Sequence, residues 1–265
     1  HYASYSAIDF NRAGVPLMEV VSEPDMRTPD EAYAYLQGLR QIMQYAGIGD
    51  CDMEKGQLRC DVNVSVRPVG QAALGEKIEI KNLNSTRAVH RSLVYEIERQ
   101  TAAVEHDEPL RQETRRWDDV AGVTLVMRTK EDAHDYRYFP EPDLMPVEIS
   151  EEWIAAITAD LPEAPHHRRQ RFEDQLGIPA YDAGVLTAEK PLADFFEGVL
   201  ASGCSPKLAA NWIMTELMRE LGAKNLSIGE SPVTASGLSE LIGLIEDDTI
   251  SGKIAKTVFD EMFGS

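Results

Sequence analysis

Two neighbouring stretches of the chain alternate between apolar and polar residues, the pattern of a β-strand with one buried face. Residues 58 to 68 read LRCDVNVSVRP, and their polar positions are Arg59, Asp61, Asn63, Ser65 and Arg67. Residues 75 to 85 read GEKIEIKNLNS, and their first polar positions are Lys77, Glu79 and Lys81. The pattern predicts two adjacent strands whose polar side chains form a floor on one side of a sheet.

Two interpretations of this floor remain open. Antiparallel sheets commonly expose one polar face to water, so the floor could simply be solvated surface. However, Asn63, Asn82 and Asn84 are poor strand formers, and their amides suit phosphate or magnesium. The asparagines therefore favour a binding site.

Helices are marked by capping residues. Thr28, Pro29 and Glu31 form a capping box with proline at the first helical position, which predicts a helix over residues 28 to 46. Ser85 begins a second predicted helix, over residues 85 to 105. Further along, Ser205 and Pro206 begin a third, whose apolar stripe of Leu208, Trp212, Leu217 and Leu221 predicts packing and not ligand binding.

The distribution of these patterns predicts an α+β fold in two domains. Residues 1–162 combine strands with long helices and are expected to form a mainly antiparallel sheet with packed helices. Residues 163–265 show only short helical periods separated by Gly, Pro and Ser, and are expected to be all helical. A length of 265 residues fits two domains.

Glu19 is a candidate metal ligand. It interrupts an apolar run within residues 10 to 25, FNRAGVPLMEVVSEPD, which predicts a short strand. A carboxylate in an apolar setting must pair, shift its pKa or bind a cation. We expect a cation at Glu19.

Residues 127 to 146, MRTKEDAHDYRYFPEPDLMP, mix charges with aromatic rings, as a polar cleft would require. Tyr136, Tyr138 and Phe139 could line a pocket or stack on a base, while Arg128, Lys130 and Arg137 meet phosphates. The alternative is a structural network of packed rings and paired charges. The sequence favours neither.

Charge and cysteine content narrow the class of protein. A net charge of −19 opposes free binding to nucleic acid, so RNA contacts should be few and local. The best candidate patch is HHRRQR, residues 166 to 171, and a solvated helix start is a strong alternative. Three cysteines without a CxxC pair indicate a reducing cytoplasm and argue against zinc. The absence of an initiator Met suggests a piece of a longer chain.

Several ordered segments resemble the family of B subunits of aspartyl-tRNA(Asn)/glutamyl-tRNA(Gln) amidotransferases, over essentially all of residues 8 to 265. The segments are DFNRAGVPLMEVVSEPDMRTPDEA, LRCDVNVSVRP, EIKNLNS, YEIERQ, QETRRWD, KEDAHDYRYFPEPDL and, near the end, LIEDDTISGKIAKTVFDEM. The resemblance implies a β-rich cradle domain that holds a kinase-like site, followed by a helical domain and a tail.

The resemblance also implies the reaction. Members of this family use ATP and Mg²⁺ to phosphorylate the side-chain carboxylate of mischarged Glu-tRNA(Gln) or Asp-tRNA(Asn), and ammonia then displaces the phosphate to give the amide. The ammonia comes from a glutaminase (A) subunit, and a small C subunit joins the two. The enzyme is a ligase and the expected compartment is the cytoplasm.

One site role follows from a matching position, and the others follow from the chemistry that phosphoryl transfer requires. Glu19 matches a metal ligand of the family, and Glu79, Lys81 and Arg59 are the expected catalytic residues. The expected ATP-binding residues are Asp61, Asn63, Asn82, Asn84, Ser85, Arg137 and Tyr138. The family has further metal ligands in strands that precede this sequence, so the fragment alone is expected to be inactive.

A different class of function is a noncatalytic RNA-binding or assembly module of a translation complex. The sequence contains no GxxxxGK[ST] loop, no Ser-His-Asp order and no amidase signature, so glutaminase chemistry is not located here. Binding of ATP and magnesium by the full-length chain discriminates the two, because a scaffold would bind neither.

Overall fold

The computed structural model describes residues 8, 10, 11, 14–129 and 142–264 of the chain. The strands are β1 (Cys60–Val64), β2 (Ile78–Leu83), β3 (Glu113–Asp118) and β4 (Val123–Thr129). The helices of the first part are α1 (Pro29–Tyr45) and α2 (Thr86–Glu105). The later helices are α3 (Glu151–Asp160), α4 (Pro165–Leu176), α5 (Ala180–Leu186), α6 (Lys190–Leu200), α7 (Pro206–Trp212), α8 (Met218–Lys224), α9 (Ala235–Glu246) and α10 (Gly252–Gly264).

The four strands form one sheet in the order β1-β2-β3-β4. β1 pairs antiparallel with β2, and β3 pairs antiparallel with β4. The central pair, β2 and β3, is parallel. Parallel neighbours need a long crossover, and α2 supplies it. The α+β prediction with a mainly antiparallel sheet is confirmed, and the described residues from 151 onward contain no strand. The domain boundary at residue 162 stays a prediction.

The capping signals place both long helices of the first part correctly. The Thr28 side chain accepts from the Glu31 backbone N–H at 3.1 Å, and the Glu31 carboxylate accepts from the Thr28 N–H at 3.0 Å. The Ser85 hydroxyl accepts from the Ala88 N–H at 3.0 Å, which caps α2. Because these bonds satisfy N–H groups that the first helical turn leaves free, they fix where each helix begins.

The predicted strand around Glu19 is wrong. Residues 15–20 have no regular secondary structure, and apolar side chains such as Leu17 and Val21 are exposed. A strand needs a neighbour to pair its backbone, and no described strand pairs with this segment. An apolar run alone therefore does not make a strand.

The core of the first part lies between one side of the sheet and the helices. Ile80, Leu83 and Trp117 of the strands pack there against Val89 and Leu93 of α2. Apolar residues of β1 and β2 thus face α2, as the alternation predicts. The polar residues of the same strands consequently lie on the other side of the sheet.

The helical part has its own apolar core. Phe172 and Phe196 are fully buried, and their ring centroids lie 5.0 Å apart. The ring centroids of Trp212 and Phe259 lie 5.9 Å apart. The predicted stripe of the third helix packs as expected, with Trp212, Leu217 and Leu221 buried and Leu208 partly buried against the core. The helix is not α-helical throughout, because a π-helical turn, Ile213–Leu217, lies between α7 and α8. Among the described helices, none combines the length and the hydrophobicity that a membrane-spanning segment requires.

α1 connects the sheet to the helical part. The Tyr45 hydroxyl donates to the Thr187 carbonyl at 2.7 Å, and the Gln41 side chain donates to the same oxygen at 2.8 Å. Burial raises the pKa of Tyr45 to about 12, so the phenol stays protonated and able to donate at neutral pH. These two bonds attach the end of α1 to the end of α5.

Candidate functional site

The side of the sheet that faces away from α2 carries a row of polar side chains, which we call the polar floor. It is defined by Asp61, Asn63, Glu79, Lys81, Thr114 and Arg116. Cross-strand pairing sets their positions, because residues paired in register project to the same side. Asn63 pairs with Glu79, Glu79 pairs with Thr114, and Lys81 pairs with Arg116. The floor therefore runs from β1 across β2 to β3.

Lys81 lies at the centre of the floor, between two carboxylates. Its ammonium is 2.6 Å from Asp61 Oδ2 and 3.1 Å from Glu79 Oε1. Burial lowers the pKa of Lys81, but hydrogen bonds from the ammonium to Asp61 and Glu79 outweigh burial and the net pKa is raised. Lys81 is therefore a cation at neutral pH. The alternation correctly brings together Asp61, Asn63, Glu79 and Lys81.

The next residues of the same segment have visible structural roles. Asn82 adopts a positive φ of 65°, a conformation that asparagine tolerates better than most residues. Its side chain donates to the Trp117 carbonyl at 3.0 Å and so links β2 to β3. Ser85 caps α2, and Asn84 lies exposed between them. Their assignment to ATP binding stays a prediction.

No ion pair or hydrogen bond among the described residues joins Arg59 or Glu19 to the floor. Arg59 is exposed and precedes β1, while Glu19 is exposed in the irregular segment. Neither side chain forms an ion pair or hydrogen bond with another described residue. Arg137 and Tyr138, like Tyr136, Phe139 and Lys130, lie outside the described residues. The roles expected for all of these positions stay predictions.

Thr114 and Arg116 belong to the floor although the strand pattern did not identify them. Thr114 is 1% exposed, and its hydroxyl donates to Glu79 Oε2 at 2.7 Å. Arg116 is exposed beside Lys81, and no carboxylate of the described residues pairs with it. The segment QETRRWD alternates too irregularly to reveal a strand, and only pairing with β2 shows which side each residue takes.

A buried polar network, centred on Glu96 of α2, lies on the opposite side of the sheet. The Glu96 side chain is 0% exposed and accepts from Arg99 at 2.5 Å, from Gln100 at 3.1 Å and from Thr124 at 2.7 Å. Arg115 donates to the Thr124 hydroxyl at 2.7 Å. Sequence reasoning missed this network. A usable signal was that Glu96 and Gln100 continue the spacing of the apolar stripe of α2.

The arginines of residues 166 to 171 form ion pairs within the protein, contrary to the prediction of an RNA-binding patch. Arg168 is 5% exposed and pairs with Asp194 at 2.7 Å and with Glu197. Arg171 pairs with Glu163 at 2.6 Å and with Glu197 at 2.6 Å. These partners neutralise the charge that phosphates would need, because α4 docks on the acidic face of α6. Arg168 and Arg171 therefore have a structural role.

Replacing Arg168 with glutamine should lower the free energy of unfolding by about 2 kcal/mol, below the usual cost of breaking a buried pair because Asp194 is half exposed. Arg169→Gln is the matched control, since Arg169 is half exposed and forms its ion pair with Glu173, one turn further along the same helix. Urea unfolding measures both. If the Arg168 and Arg169 variants were equally stable, or if tRNA binding by the Arg168 variant depended less on salt than that of the wild type, the RNA-binding interpretation would be restored.

The floor can contribute to a magnesium site but does not form a complete one. Mg²⁺ prefers oxygen ligands and usually takes one or two carboxylates together with substrate phosphates and water. Asp61, which is half exposed, and Glu79, which is mostly buried, supply two carboxylates on the same side of the sheet. The described residues contain no group of three or more His, Cys, Asp or Glu that could hold a metal. Together with phosphate oxygens and water, these two carboxylates could hold a nucleotide-bound Mg²⁺.

Comparisons with known proteins identify what the chain is similar to. A family model described as the GatB/GatE catalytic domain matches residues 1–155, and one described as the GatB domain matches residues 194–265. A protein of Moorella thermoacetica, named as the B subunit of an aspartyl/glutamyl-tRNA(Asn/Gln) amidotransferase, is 54% identical over 261 residues, which are 98% of this chain and 55% of that protein.

Two further relatives carry the same name. That of Thermoanaerobacter sp. is 54% identical over 260 residues, covering 98% of this chain and 55% of the relative. The relative from Gloeothece citriformis is 52% identical over 260 residues, which are 98% of this chain and 52% of the relative. The chain thus spans about half the length of the curated relatives it matches. The matches confirm the resemblance seen in the sequence.

Proposed function

The chain belongs to the GatB/GatE family, and from this we propose that its polar floor is part of a site that transfers a phosphoryl group from ATP to a mischarged tRNA. The acceptor is the side-chain carboxylate of Asp-tRNA(Asn) or Glu-tRNA(Gln). The γ-phosphoryl group moves to a carboxylate oxygen and leaves ADP behind. Ammonia then attacks the acyl carbon and expels phosphate, which gives the amide.

The observation that carries the proposal is the arrangement of Lys81 between Asp61 and Glu79 on one side of the sheet. Phosphoryl transfer requires mainly positioning and charge stabilisation, and little covalent participation by the protein. The floor meets both needs. Its carboxylates suit a nucleotide-bound cation, and its ammonium and guanidinium groups suit phosphate oxygens.

Each residue of the floor then has a role. Arg116 is exposed and would face the negative charge of the transferring group, while Lys81, paired with Asp61 and Glu79, would hold the two carboxylates in place and add positive charge nearby. Asp61 and Glu79 provide oxygen ligands, and bound Mg²⁺ would neutralise charge on the ATP phosphates. Asn63 offers an amide that can hydrogen-bond to phosphate or to the aminoacyl end. Arg59 is the least supported of the expected catalytic residues, because nothing in its surroundings orients it.

The proposed enzyme is a ligase that works as a heterotrimer in the cytoplasm. A glutaminase (A) subunit supplies ammonia, and a small C subunit joins the two. The relatives' names support a complex of several subunits, since each name designates one lettered component of an amidotransferase. The noncatalytic alternative has less support, because the basic patch that would serve RNA binding is paired within the fold.

The test is amide formation by the full-length B polypeptide reconstituted with its A and C partners. We expect Asn-tRNA(Asn) or Gln-tRNA(Gln) to form from the mischarged tRNA only when ATP and Mg²⁺ are present. Ammonium chloride should replace glutamine, because the phosphorylated carboxylate reacts with ammonia whatever its source. The matched control is the same reaction with uncharged tRNA. A complex that forms amide on neither tRNA and hydrolyses no ATP would contradict the proposal.

A further inference from the structure

Thr114 is the most buried polar residue of the floor, and its single donor is directed at Glu79. The hydroxyl is 1% exposed and lies 2.7 Å from Glu79 Oε2. The contact joins neighbouring strands, because Glu79 and Thr114 are partners in the parallel ladder of β2 and β3. The position of one side chain relative to the other is therefore fixed by the sheet itself.

Two donors on separate strands hold the Glu79 carboxylate from different directions. Thr114 donates to Oε2, and Lys81 approaches Oε1 at 3.1 Å. A hydrogen bond to a carboxylate is stronger than one between neutral groups, so the Thr114 contact restricts rotation of the carboxylate. Lys81 is itself shared with Asp61, so its long side chain holds Glu79 less rigidly than the buried Thr114 hydroxyl does.

We propose that Thr114 is the positioning residue of the phosphoryl-transfer site, orienting Glu79 so that its carboxylate can bind the nucleotide-bound divalent cation. This inference rests on the proposed function. A residue that orients a metal ligand through a hydrogen bond commonly affects the affinity for the metal as well as the geometry of the ligand. Thr114 acts through Glu79 and does not itself contact the substrate.

Thr124 supplies a matched control within the same sheet. It is 2% exposed, and its hydroxyl also donates to a glutamate, Glu96 Oε2, at 2.7 Å. The two threonines share residue type, burial and bond length, but Thr124 serves the buried network on the side of α2. The Thr124 hydroxyl also accepts from Arg115, so its removal should disturb the sheet at least as much as removal of the Thr114 hydroxyl, while only the Thr114 substitution acts on the floor.

The experiment measures binding of Mn²⁺, a spectroscopic substitute for Mg²⁺, to the full-length B polypeptide in its complex, with a non-hydrolysable ATP analogue. Electron paramagnetic resonance reports the free Mn²⁺. We expect Thr114→Val to weaken Mn²⁺ binding by about 10- to 100-fold. Thr114→Ser keeps the hydroxyl and should restore most of the affinity, and Thr124→Val should leave it unchanged. Thr114→Ala provides a second variant if valine is not accommodated.

The outcomes separate this inference from the proposed function. Wild-type affinity in both Thr114→Val and Thr114→Ala would overturn the positioning role and leave the proposed function intact. Equal losses in the Thr114 and Thr124 variants would overturn it too, because the effect would then reflect sheet stability. A wild-type complex that binds no Mn²⁺ with the nucleotide would overturn the proposed function and the inference with it.

Discussion

Replacing Glu79 with glutamine should lower the rate of ATP-dependent amide formation by the full-length complex by about 100- to 1,000-fold, the range for removing one preorganised charge-stabilising group. Glutamine keeps the size of the side chain and can still accept from the Thr114 hydroxyl. It removes the negative charge, so Lys81 loses one of its two carboxylates and the divalent cation loses an anionic ligand. The defect should therefore appear in kcat and in the Mg²⁺ requirement.

Glu76→Gln is the matched control for this experiment. Glu76 is exposed in the segment before β2, three residues from Glu79, and removing its charge changes the net charge of the protein by the same amount. The two variants should unfold at similar urea concentrations. If Glu79→Gln forms amide as fast as Glu76→Gln, the floor is not the phosphoryl-transfer site.

Replacing Glu96 with glutamine should lower the free energy of unfolding by about 3 kcal/mol, the lower end of the range for breaking a buried ion pair. Glu96 is fully buried and accepts from Arg99, Gln100 and Thr124, which belong to α2 and β4. Glutamine cannot neutralise Arg99, and its NH₂ group faces donors where an acceptor is needed. Because Arg99 keeps some contact with water, the loss should stay below the upper limit.

Urea unfolding of the chain measures this loss, and Glu98→Gln provides the control. Glu98 is exposed on the same helix, two residues away, and its replacement should change the unfolding free energy by less than about 0.5 kcal/mol. A Glu96 variant as stable as the Glu98 variant would show that the network adds nothing to the free energy of folding.

The sequence determined the features that depend on neighbouring residues. The helix beginnings at Thr28 and Ser85 were predictable, because a cap bonds to an N–H three residues away. Two strands and their polar side were predictable as well, because successive strand residues alternate between faces. Asp61, Glu79 and Lys81 could therefore be placed together without coordinates. The family was also recognisable, since it depends on ordered local segments.

Only the tertiary structure decided which distant residues meet. Thr114 reaches Glu79 because β3 pairs parallel with β2, a register that no local pattern specifies. Arg168 and Arg171 form a basic run in the sequence, yet Glu197 of α6 lies against both and removes their free charge. The apolar run around Glu19 looks like a strand, but a strand forms only where a neighbour pairs its backbone. Pairing, docking and charge neutralisation all join residues far apart in the chain, and the fold alone sets those distances.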